Sequence, residues 1–174
     1  MMNMMDTPTL VSPEELIQWW VELAQDEQSP DNYELTEYGE LVLSPRAETN
    51  HQRLCAIIAG QLSQQLGGEA PCEVAVLTAT AGLRVPDVVW MPQERWNQLS
   101  RNAVLQAPEL VVEVLSPGNR KPEMNHKIQG YLRSGVQEVI VVGLTGGIEY
   151  IRQDGVHTKS MFNLTLTLPP QLFS

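Results

Sequence analysis

Cysteine is scarce in this chain of 174 residues: it has two, Cys55 and Cys72. Two cysteines cannot build a disulfide framework, and no C-x-x-C pair or Cys/His cluster points to zinc. No stretch approaches the roughly 18 apolar residues that span a bilayer. The opening "MMNMMDTPTL" lacks a basic region followed by an apolar run, which argues against a secretory signal. Together these absences predict a reducing, cytoplasmic setting without membrane association. Internal repeats and low-complexity linkers are absent too. Basic residues are few, 11 Lys/Arg against 21 Asp/Glu for a net charge of −10, a balance that by itself argues against a nucleic-acid partner.

What is present changes that picture. Residues 1–50 hold 11 of the acids and a single base, Arg46, whereas residues 51–174 hold 10 acids and 10 bases. The acidity therefore belongs to the N-terminal part. Arg120, Lys121, Lys127 and Arg133 make a local basic patch opposed by Glu123. A solvated helix face explains such a patch equally well. With 43% hydrophobic residues, a chain of this length buries roughly 70% of its unfolded surface, enough for one core without staples. We expect a single domain over 1–174, with an acidic helical segment at 1–32, a core at 33–152 and a C-terminal strand and tail at 153–174.

"SPEELIQWWVELAQDEQ" predicts a helix with Ser12 as N-cap, Pro13 in the first turn and Glu15 completing a capping box. Two short strands are expected around Tyr38-Gly39. A second helix should run from Thr49, capped with Gln52, to Gly67-Gly68. Strands follow at "CEVAVLTAT" and "GLRVPDVVWMP", then a short helix at "QERWNQLS". Further on come a strand at "PELVVEVLSP", a third helix from Pro122 to Gly135, and strands at "QEVIVVGL", "IEYIRQ" and "TLTLP". This order predicts a mixed α/β domain around one sheet.

Glu113 stands out. Val111, Val112, Val114 and Leu115 around it read as a strand covered on both faces. An unpaired glutamate there costs several kcal/mol. In "LRVPDVVW", alternation groups Leu83, Val85, Asp87 and Val89 on one face, so Asp87 is a second carboxylate in an apolar strand. Two carboxylates about 4 Å apart repel by about 4 kcal/mol at an effective dielectric near 20. A cation between them removes that conflict. Mg²⁺ would accept both and leave room for a phosphate oxygen. Lys127 is the protein's own candidate, since on a helical wheel it lies about 40° from Tyr131 at the edge of the apolar stripe of Met124, Ile128, Tyr131 and Leu132.

Blander explanations exist for each residue. Glu123 and Lys127 could be an i, i+4 surface pair worth about 0.3–0.5 kcal/mol. Asp87 after Pro86 could be a turn residue, and Glu113 could pair with Arg84. Together these require two unrelated buried acids, and a shared site is the simpler account. His51 faces inward from the first turn of the second helix, either as a core histidine or as a contact to phosphate or metal-bound water.

These residues resemble the PD-(D/E)XK nuclease superfamily, and most of all its bacterial restriction-endonuclease-like branch of the Uma type. The likeness runs over about 33–152: "YELTEYGELVLSP" and His51, then "VPDVVW", "PELVVEVLSP", and a lysine-bearing helix ending "YLRSGV". The resemblance implies an α/β restriction-endonuclease-like fold, with a central mixed β-sheet flanked by helices. It implies metal-dependent hydrolysis of phosphodiester bonds, with DNA as the expected substrate and a homodimer as an allowed assembly. Asp87 and Glu113 would hold Mg²⁺, with Mn²⁺ as a substitute. The ion would acidify a bound water and polarise the phosphate. Lys127 would orient that water or stabilise the transition-state charge. Arg120, Lys121 and Arg133 would touch flanking phosphates, and His51 would support the site. The alternative is a catalytically inactive nuclease fold acting as a protein- or nucleic-acid-binding module.

Overall fold

The computed structural model describes residues 7–44 and 47–173. Residues 1–6 of the methionine-rich opening and Arg46 lie outside that range. The chain begins with α1 (Pro13–Gln25), whose Ser12–Glu15 capping box forms as expected. Strands β1 (Tyr33–Leu35) and β2 (Leu41–Leu43) form an antiparallel pair. Helix α2 (Thr49–Leu66) stops at Gly67, where φ of +73° suits glycine. The predicted Thr49–Gln52 box does not form, because the N-cap is Glu48 and it makes no side-chain cap.

Then come β3 (Val76–Leu77), β4 (Leu83–Arg84), β5 (Val88–Trp90), the single-turn α3 (Gln93–Trp96) and β6 (Leu105–Gln106). The site-bearing elements follow: β7 (Leu110–Val114), α4 (Lys121–Arg133) and β8 (Glu138–Val142). Strands β9 (Ile148–Arg152) and β10 (Gly155–His157) complete the sheet, and Pro170–Phe173 form a 3₁₀ turn.

The expected single sheet is in fact two, in a mixed α/β architecture flanked by helices. One has strand order β2-β1-β4-β3-β6 and the other β10-β9-β8-β7-β5. The chain crosses between them at Val85-Pro86-Asp87, because β4 belongs to the first sheet and β5 to the second. Pro86 has no N–H to offer a ladder, so a continuous strand through it is disfavoured. Asp87 therefore sits at a sheet-to-sheet crossing and not on the face of one long strand.

The second sheet is covered on both sides. Leu110, Val112, Val114, Ile140 and Val142 pack with Leu54, Ile58 and Leu62 of α2. Val111, Val139 and Val141 pack with Met124, Ile128, Tyr131 and Leu132 of α4. This two-sided burial explains why β7 and β8, paired in parallel, read as continuous apolar runs. By alternation Glu113 shares the α4 face with Val111.

"TLTLP" forms no strand. Its backbone polar groups are met instead by side chains of α2: Gln61 bonds the carbonyl and N–H of Thr167, and Gln65 those of Thr165, at 2.7–3.0 Å. Among the described residues no helix is long and apolar enough to cross a membrane.

Candidate active site

Glu113 has partners, and both come from α4. The Tyr131 hydroxyl donates to Oε1 at 2.9 Å, and the Lys127 ammonium lies 3.1 Å from the same oxygen. Lys127 and Tyr131 are four apart on one helix face, so a single helix delivers both to the strand. Glu113 is 3% exposed. Burial pushes its carboxyl up to about 7; Lys127 opposes that shift, while Asp87 and Glu34 add to it. Burial and the neighbouring Glu113 and Glu34 carboxylates also push the Tyr131 phenol well up, so it stays a donor.

Lys127 is shared with a residue that the sequence reading missed. Glu34, in the middle of β1, accepts from Nζ at 2.9 Å. It also accepts from the Val85 N–H at 2.9 Å and from Arg84 at 3.1 Å. Burial disfavours ionised Glu34, but Lys127, the Val85 N–H and Arg84 outweigh it and hold its carboxyl below the usual range. Likewise burial works against the charge on Lys127, and Glu113 with Glu34 more than restores it. The signal for Glu34 was present in "YEL": an acid between Tyr33 and Leu35 raises the same question as Glu113.

Arg84 does not pair with Glu113. It reaches Glu123 at 2.7 Å, besides Glu34 and the Ala81 carbonyl. Glu123 therefore bonds Arg84, and Lys127 is no surface i, i+4 partner of it. The result is a row of alternating charge, Glu123–Arg84–Glu34–Lys127–Glu113, running from the surface to the buried C-terminal end of β7.

Asp87 approaches β7 from its end. Its Oδ2 accepts the Val114 N–H at 2.6 Å and lies 3.4 Å from His51 Nε2. That nitrogen is also 3.0 Å from the Val114 carbonyl, and Nδ1 lies 3.7 Å from Cys55 Sγ. The bond to Asp87 and the contact with Cys55 outweigh burial and push the imidazole up to about 11.

Glu34, His51, Asp87, Glu113 and Lys127 all line one cleft of about 1130 Å³. Its walls carry Asp26, Glu27, Asp31, Glu48 and Glu73, and Lys127 is its one Lys/Arg among the described lining residues. Ser116–Asn119 form part of its lip. Arg120 and Lys121 are exposed just beyond that lip and outside the lining, and Arg133 is exposed in the last turn of α4. At 1.5 Å per residue Arg133 lies about 20 Å along the helix from Arg120. The three do not converge.

The donor set fits a hard divalent cation. Among the described residues none donates to Oδ1 of Asp87 or Oε2 of Glu113, so each carboxylate keeps an oxygen for an ion. The acidic walls also favour a cation in the cleft.

Comparisons with known proteins bear on the fold and the family. No curated protein matches the chain. The crystal structure of "a putative nuclease belonging to DUF820 from Anabaena variabilis ATCC 29413" superposes with a TM-score of 0.68 over 88% of each chain, at 18% identity. At that identity the likeness speaks for the fold alone. A family model described as "Putative restriction endonuclease" matches residues 13–168, and the chain belongs to that family, Uma2.

Proposed function

We propose that the protein is a metal-dependent endonuclease that hydrolyses phosphodiester bonds of DNA. The observation that carries this reading is the meeting of Asp87, Glu113 and Lys127 at one cleft, from a sheet crossing, a strand and a helix. A divalent ion held by Asp87 and Glu113 would supply Lewis acidity toward a phosphate oxygen and acidify water. The chain's own residues do the rest. Tyr131 and Lys127 fix one oxygen of Glu113 and leave the other to the ion. Lys127, locked between two carboxylates, presents a positioned ammonium to charge developing on the phosphate, with no reorganisation at the moment of reaction. His51 holds Asp87 in place. The acidic walls make an ion necessary, because without one they repel the phosphate backbone. Arg120 and Lys121 would touch a phosphate beyond the lip, and Arg133 only a substrate long enough to lie along α4.

The test is nicking of supercoiled plasmid, with an RNA of matched length alongside, in Mg²⁺, Mn²⁺ or EDTA. The expected result is DNA cleavage in either ion, none in EDTA, and a loss of about 10²–10³-fold in Asp87→Asn, the scale on which one fixed electrostatic group acts. No cleavage of DNA in either ion, or cleavage indifferent to EDTA, would overturn the reading. The five acids on the walls favour one alternative, a catalytically inactive module for a cationic partner, and metal binding separates the two since such a module needs no divalent ion.

A further inference from the structure

His51 and Cys55 lie one turn apart on the inner face of α2, and a ligand atom from each lies within 4.8 Å of the other and of an Asp87 oxygen. The sequence reading found no Cys/His cluster, because the third donor arrives from residue 87. We propose that His51 Nδ1, Cys55 Sγ and Asp87 form a second metal site, for a borderline transition ion of the Zn²⁺ or Co²⁺ class.

Three features support it. The separation of 3.7 Å between Nδ1 and Sγ is close to the roughly 3.6 Å that a tetrahedral ion imposes with bonds near 2.05 Å to nitrogen and 2.3 Å to sulfur. The other ring nitrogen lies 3.0 Å from the Val114 carbonyl. A metal-ligating histidine commonly donates its second N–H to such a group, which fixes the tautomer and turns the opposite lone pair to the ion. Nitrogen, thiolate and one carboxylate also make a set that prefers Zn²⁺ or Co²⁺ to Mg²⁺, and three protein ligands leave a fourth position toward the cleft that His51 and Asp87 line. Binding would displace the thiol proton of Cys55, and the Nδ1 proton of His51 where the ring is charged, with both protons passing to solvent.

The site does not depend on the proposed reaction, and its test needs no substrate. Titrating the protein with Co²⁺ at pH 8 should bring up a near-ultraviolet thiolate-to-cobalt charge-transfer band that saturates at one ion per chain. Cys55→Ser should abolish the band and weaken Zn²⁺ binding by more than about 100-fold, beyond the 10–100-fold cost of losing an outer-shell partner. Cys55→Ala serves instead should the hydroxyl unfold the core. Cys72→Ser and Glu113→Gln should both keep the band, the second because Glu113 belongs to the other ion's donor set. A wild-type protein without the band, a band that survives at Cys55→Ser, or one lost at Cys72→Ser would overturn the site.

Discussion

Two glutamates sit at opposite ends of the β7–β8 pair, and both are buried, Glu113 to 3% exposure and Glu138 to 0%. Their surroundings differ in how the lone pairs are filled. Glu138 accepts from Ser160 Oγ on one oxygen, and from Arg152 and the Met161 N–H on the other. Both of its oxygens are occupied by the tail that follows β10, so it clamps the C-terminal segment to the sheet. Both donors to Glu113, by contrast, meet on Oε1 and leave Oε2 open beside the cleft. Burial alone does not mark a functional acid. A buried acid that lines a cleft and keeps one oxygen without a donor is the candidate for holding an ion.

The largest effect should come from breaking the closed end of this comparison. Removing one partner of a buried ion pair typically costs about 3–5 kcal/mol, so Glu138→Ala should lose that much in urea unfolding. Divalent metal should not change the loss.

At the open end the sign reverses. Glu113 holds its proton more tightly folded, at about 7, than at the ordinary value of 4.5. The folded state therefore binds more protons between those values, and stability falls as pH rises through the window. Above pH 7 the penalty is complete, on the order of 3 kcal/mol. Glu113→Gln should accordingly raise metal-free stability by about that much at pH 8 and leave it unchanged at pH 4, as read from melting curves at the two pH values.

The smallest effect lies at the outer end of the charge row. The Glu123 side chain is half-exposed where it meets buried Arg84, and Arg84 retains Glu34 and the Ala81 carbonyl. Glu123→Gln should cost at most about 1 kcal/mol in the same urea titration.

The comparison also explains what was legible in the sequence. Glu113 and Asp87 each stand out as an acid in an apolar run, and helical spacing places Lys127 at the edge of a stripe. The same reasoning applies to Glu34 in "YEL" and Glu138 in "QEVIVV", but composition alone does not say whether an acid's partners close around it or stop short. Arg84 shows the limit from the other side: a buried base was visible, but its partner is set by which sheet β4 joins. Pro86 hinted at the break before Asp87, yet nothing local states that the chain changes sheets there. "TLTLP" carries the strand period without being a strand, because α2 supplies glutamines where a neighbouring strand would have supplied backbone.

The proposed divalent ion rests on the free oxygens of Asp87 and Glu113. The measurement that tests it most directly is urea unfolding of the wild type and Glu113→Gln at pH 8, in EDTA and in Mg²⁺ at 100 times its dissociation constant. Mg²⁺ should add about 2.7 kcal/mol of stability to the wild type and almost none to Glu113→Gln. Equal wild-type stability in Mg²⁺ and EDTA would contradict it.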